Sequence, residues 1–188
     1  MEVRAGSLTV DAADGPMELY EALPDGEARA ALIVVHEAFG LNGHIESVTR
    51  RFAGEGFHSV APDLYHRAGG GTASYDDFSR VAPLMEGLDD ERLLMDVDAA
   101  RSHLRAQGFR DWQTGLVGFC MGGRVSFLVA ARRRLGAVVG FYGGGLVHPR
   151  RSEQPALVGE AATLKSPWLG LFGDLDPHVP VEDAELLR

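Results

Sequence analysis

Gly118-Phe119-Cys120-Met121-Gly122 sets the one cysteine of the chain between glycines two residues away on either side. The apolar run before it reads as a buried strand, and the residues after Gly123 read as helix. Gly-x-Cys-x-Gly in that context is the frame of a nucleophile elbow, with Cys where Ser is more usual. A side chain raised on so tight a turn sits in a strained backbone conformation, and its neighbours two residues away must lack Cβ atoms. At a helix N-terminus, backbone N–H groups and the helix dipole favour thiolate and stabilise an oxyanion. The chemistry implied is attack by sulfur on a carbonyl carbon. The alternative for Cys120 is a small apolar filler of the core; the strand before it, the helix after it and the motifs below favour the nucleophile.

Two further stretches fit that chemistry. Gly173-Asp174-Leu175-Asp176-Pro177-His178 follows the last apolar run. A carboxylate there is placed to orient a histidine acting as base for the nucleophile. Asp176, at the fourth position of Gly-x-x-Asp and before Pro, is preferred to Asp174; the alternative is a Pro-bounded turn with solvated acids. His36-Glu37-Ala38-Phe39-Gly40 follows the first buried run. It starts like a zinc-binding His-Glu-x-x-His helix, but residue 40 is Gly and the next histidine is His44, so the i, i+4 geometry fails and no metal site is expected. An oxyanion loop is the better reading, with the N–H of Ala38 paired with that of Met121. Glu37 is then a proton acceptor or hydrogen-bond partner of the thiol, or else a solvated turn acid.

The elements that must position these residues follow from hydrophobic patterning. Ser7–Val10 and Met17–Leu23 flank Asp14-Gly15-Pro16 and read as a hairpin at a sheet edge. Residues 31–36, 57–61, 116–119, 137–142 and 167–172 are β-branched or apolar runs expected of buried strands. Helices are expected over 44–54, near 74–86 and 89–107, over 125–134, and from 181 onward. Residues 66–73, with three glycines in succession, are expected to be a flexible loop, either a lid or a plain connection. Strands alternating with helices from residue 31 onward predict a mostly parallel sheet covered on both faces. Ligands of such sheets bind beyond the carboxyl ends of the strands, which are residues 36–39, 63–65, 120, 142–144 and 173–178 here.

Composition narrows the partners. The chain has 188 residues and is 45% hydrophobic, enough for one domain over 1–188. A net charge of −9 argues against nucleic acid or an anionic membrane as partner. The first residues carry no apolar signal-peptide core and no run is of membrane-spanning length. A single cysteine forms no internal disulfide, which suits a cytoplasmic setting.

Val35-His36-Glu37-Ala38-Phe39-Gly40-Leu41-Asn42, Val60-Ala61-Pro62-Asp63-Leu64-Tyr65, Gly118-Phe119-Cys120-Met121-Gly122-Gly123 and Gly173-Asp174-Leu175-Asp176 together resemble the dienelactone hydrolase family, in that family's order. The resemblance implies an α/β-hydrolase-like three-layer sandwich. It also implies hydrolysis of a lactone or small ester through a thioester acyl-enzyme, with no metal or organic cofactor. By the same resemblance Cys120 is the nucleophile, Asp176 the triad acid, and Glu37 the glutamate that holds and activates the thiol when substrate binds. Ala38 and Met121 carry the oxyanion N–H groups, and Tyr142 is an aromatic lining the pocket. Some family members bind the lactone carboxylate with arginines. Arg80 is the candidate for that role, against the alternative of a surface charge.

The family's histidine follows its aspartate by a few tens of residues. None of the seven histidines here (36, 44, 58, 66, 103, 148 and 178) occupies that place, and Arg188 falls within what reads as the intervening helix. The expectation is that the C-terminal helix and strand lie outside this sequence or that the general base is lacking. A non-catalytic relative that binds ligand or partner without turnover is the alternative function. A sheet shortened in this way exposes apolar surface and is expected to aggregate or dimerise; for the hydrolase reading a monomer or weak homodimer is expected.

Overall fold

The structure, a computed structural model, describes residues 3–188. Its strands are β1 (Arg4–Ala12), β2 (Gly15–Leu23), β3 (Ala30–Val35), β4 (Phe57–Pro62), β5 (Thr114–Phe119), β6 (Ala137–Phe141) and β7 (Trp168–Leu171). They form one sheet in the order β1-β2-β4-β3-β5-β6-β7. β1 and β2 make the expected antiparallel hairpin, and β2 lies antiparallel to β4; every pairing from β4 to β7 is parallel.

Alternation along the central strands explains why their apolar runs are continuous. Ile33 and Val35 of β3 enter one hydrophobic cluster and Val34 the other; Leu116 and Val117 of β5 divide in the same way. With a period of two, a strand covered on both faces turns every side chain into a core, so its run is mostly apolar. One cover consists of α3 (Asp90–Ala106) and α4 (Met121–Arg132), which bring in Leu93, Leu94, Val97, Leu104, Val125 and Leu128. The other is α1 (Gly43–Gly54), through Ile45, Val48 and Phe52. These are the three layers the sequence predicts.

Local signals set where the helices begin. The Asn42 side chain accepts from the N–H groups of His44 and Ile45, both at 3.1 Å, and caps α1. Asp89 accepts from the Arg92 N–H at 2.8 Å and caps α3. Each cap is worth about 1 kcal/mol.

Three expectations need correction. The helix expected near 74–86 is a 3₁₀ turn at Phe78–Arg80 followed by the short α2 (Val81–Met85). Asp77 caps that turn through the Ser79 N–H, and Pro83 has no N–H to extend a helix through the segment. α4 starts at Met121 rather than Val125, because the elbow itself provides the helix start. The loop at 66–73 is anchored rather than free. Arg67 bonds both oxygens of the buried Asp96 at 2.8 Å and reaches Asp14, while the Ala73 N–H donates to the Phe39 carbonyl at 3.1 Å.

α5 (Val181–Leu186) lies beside β7. On the α1 face, Leu32, Phe52, Val117, Val139 and Phe141 line an apolar groove of about 470 Å³. Among the described residues no helix is long and apolar enough to cross a membrane.

Candidate active site

β5 ends at Phe119 and Cys120 turns the chain into α4 with φ 52°, ψ −112°, a left-handed conformation that L-residues rarely adopt. The turn is fixed from both sides. The Cys120 N–H donates to the Phe141 carbonyl at 3.0 Å, and the Cys120 carbonyl accepts from the N–H groups of Gly123 and Arg124 at 2.9 and 3.2 Å. Its glycines are required by close approach. A Cβ on Gly118 would overlap the Gly122 carbonyl, one on Gly122 the Val35 carbonyl, and one on Gly123 the Phe141 carbonyl.

The loop after β3 lies against this elbow and is held by two side chains. His36 is fully buried; its Nε2 accepts the Leu64 N–H at 3.2 Å, so the ring proton sits on Nδ1 and is donated to the Glu37 carbonyl at 2.6 Å. Burial keeps the imidazole neutral by driving its pKa down to about 4. The Tyr65 hydroxyl donates to the Ala38 carbonyl at 2.8 Å. Together they hold the peptides on either side of Ala38.

Cys120 feels opposing influences. Burial pushes the thiol pKa up, and the Glu37 charge adds to that; the backbone N–H groups of Met121 and Ala38, and the Arg150 cation, pull it down. The rise prevails, so the resting sulfur is a thiol. Ala38 and Met121 line the same cavity as the sulfur.

Glu37 itself is held by two phenols. Tyr142 donates to Oε1 at 2.9 Å and Tyr75 to Oε2 at 2.7 Å. Burial, then the bond to Glu37, raises the Tyr142 pKa, so it stays a neutral donor. Tyr142 has φ 41°, the second strained non-glycine residue among those described.

A cavity of about 310 Å³ opens on the sulfur. Cys120, Ala38 and Met121 form its floor, Phe78, Val81 and Met85 an apolar wall, and Arg124, Arg150, Arg151 and Gln154 a polar one. Neither Tyr142 nor Arg80 lines it. The Tyr142 ring borders a separate groove against α1, and Arg80 is exposed while its neighbours Phe78 and Val81 face the cavity.

Asp176 lies in the loop after β7 and its Oδ1 accepts the His178 N–H at 2.8 Å, closing a local turn. Among the described residues no imidazole hydrogen-bonds Asp176 or Cys120. His58 and His103 pair with Glu21, His66 with Asp96 and His148 with Asp183. Arg150 ties the cavity wall to the Asp176 loop by donating to the His178 carbonyl at 2.7 Å.

The supporting residues His36, Tyr65 and Tyr75, and the cavity arginines Arg150 and Arg151, were given no role from sequence. Tyr65 does fall beyond the carboxyl end of β4, where such sheets bind ligands, and that position is the signal that marks it.

The fold and its elbow are those of α/β-hydrolases. The dienelactone hydrolase family model matches residues 17–188, and the chain belongs to that family. A "Putative carboxymethylenebutenolidase" of Methylorubrum extorquens is 34% identical over 188 residues, which is 98% of this chain and 64% of that protein, so the chain spans under two thirds of that relative. Carboxymethylenebutenolidase of Pseudomonas putida is 32% identical over 96% of this chain and 75% of its own. The crystal structure of a "Putative Dienelactone Hydrolase" from Klebsiella pneumoniae superimposes with a TM-score of 0.90 at 33% identity, covering 100% of this chain and 80% of that one.

Proposed function

We propose that this chain hydrolyses a lactone or small carboxylic ester through a thioester on Cys120. The observation that carries the reading is the placement of one sulfur, on a strained turn at the start of α4, beside Ala38 and Met121 in the lining of a cavity. Sγ attacks the substrate carbonyl carbon, and the two N–H groups receive the negative charge that develops on its oxygen. The thiol proton passes to Glu37 and on to the leaving oxygen as the C–O bond breaks. Water then cleaves the C–S bond and releases the acid. The apolar wall suits the hydrocarbon part of such a substrate.

p-Nitrophenyl acetate tests the first half. A burst of nitrophenolate stoichiometric with protein is expected, with an acetyl adduct seen by intact mass on the peptide holding Cys120. Cys120→Ala should show neither, and a burst of full size in that variant would overturn the assignment.

Among the described residues the Asp176 carboxylate accepts only the His178 N–H, which favours a second reading in which the thioester forms but is released slowly. Burst size followed by steady-state rate separates the two: a burst with negligible turnover supports a binding or scavenging protein, and rapid turnover supports the hydrolase.

A further inference from the structure

At the opposite edge of the sheet from Cys120, near the amino ends of the parallel strands, three ligand-type side chains meet. Glu21 comes from β2, His58 from the start of β4 and His103 from the last turns of α3. Nε2 of His58 and Nε2 of His103 each lie 2.7 Å from the same atom, Glu21 Oε1. The three atoms fall within 4.8 Å of one another. Their side chains are 7, 15 and 18% exposed for His58, His103 and Glu21, so the cluster is sheltered but reachable. The imidazole planes stand at 78° to each other, and Phe109 packs edge-on against His58 at 5.4 Å.

We propose that Glu21, His58 and His103 bind a divalent transition metal ion of the zinc type. Two imidazole nitrogens and one carboxylate oxygen are the donor set such ions prefer when three protein ligands leave a fourth position to water. Metal entry moves each Nε2 proton to Nδ1 of its ring, so both rings bind as neutral ligands and the carboxylate offsets one of the ion's two charges. Nitrogen and oxygen, now 2.7 Å apart, separate by about 0.6–0.9 Å to surround an ion at about 2.0–2.2 Å from each ligand.

A second cluster shows the contrast. Asp14, His66 and Asp96 also converge, but Arg67 already bonds both carboxylates and supplies their positive charge. Among the described residues Glu21 pairs with the two imidazoles and with no Lys or Arg. A bound ion would clip β2, β4 and α3 together, independently of the Cys120 chemistry.

The test uses the Cys120→Ala chain, which removes the one thiol as a competing ligand. Co²⁺ titration is expected to give visible d–d absorption saturating at one equivalent and bleached by Zn²⁺. Zn²⁺ at hundredfold excess over its Kd should raise Tm by about 5 °C. His103→Ala, on the helix surface, and His58→Gln should each abolish the absorption and the shift while keeping the circular dichroism of the parent. No absorption and no shift with the parent overturns the site. So does binding that persists undiminished in folded His103→Ala, which would place the ion on other residues. Should His58→Gln fail to fold, His103→Ala alone decides.

Discussion

Tyr65 donates its hydroxyl hydrogen to the carbonyl of Ala38 at 2.8 Å, across 27 residues of chain. The bond holds from behind the peptide whose neighbouring N–H faces the sulfur. Tyr65→Phe removes that hold and leaves the ring in place. The acylation rate with p-nitrophenyl acetate is expected to fall about 10-fold, the scale of lost supporting bonds, with KM nearly unchanged. Unfolding in urea should lose only about 1 kcal/mol. An unaltered burst rate would remove Tyr65 from the support of Ala38.

His36 makes a prediction about acid. Its folded pKa, about 4, lies below the ordinary 6.5, so the unfolded chain binds the extra proton. Stability from this group is complete above pH 6.5 and is lost as the pH falls toward 4, by about 3 kcal/mol over the window. His36→Gln, which does not titrate, should show a flatter dependence of the urea midpoint between pH 7 and 4.5 than the parent. Parallel curves would show that another group governs the acid limb.

Glu37→Gln separates two roles of one carboxylate. After burial, the Glu37 charge is what raises the Cys120 thiol, so its removal shifts the pH midpoint of iodoacetamide alkylation downward. If Glu37 also receives the thiol proton during acylation, the burst at pH 7 slows even though thiolate is more abundant. A midpoint that moves up would contradict the geometry.

Asp90 and Arg124 form a nearly buried ion pair, at 2.6 and 3.3 Å, between the first turns of α3 and α4. Arg124 also donates to the Pro155 carbonyl at 2.7 Å. Asp90→Ala strands the guanidinium and is expected to destabilise by about 3–5 kcal/mol in urea unfolding. Asp90→Leu with Arg124→Met should recover most of that loss. If the single variant is neutral, the pair does not hold the two helices.

The elbow was legible in sequence because its demands are local. Gly118, Gly122 and Gly123 have no room for a Cβ, and that requirement is written within six successive positions. The alternating strands were legible too, since burial on both faces makes their runs mostly apolar, with His58, Ser59 and Thr114 as buried polar exceptions. The supports of the site were not, because His36–Leu64, Tyr65–Ala38 and Tyr142–Glu37 join residues 27 to 105 positions apart. Arg80 is a candidate in sequence, against the alternative of a surface charge, while two of the arginines on the cavity, Arg150 and Arg151, come from a stretch with no periodic pattern. The segment 74–86 was overread as helix, since its apolar spacing hid the effect of Pro83.

In the proposed reaction a thiolate and an incoming carbonyl oxygen would compete for the same N–H groups, those of Ala38 and Met121. A sulfur that ionised early would claim both and turn away an arriving carbonyl. By keeping hydrogen on the sulfur at rest, the surrounding apolar bed and the nearby carboxylate reserve those amides for the visitor.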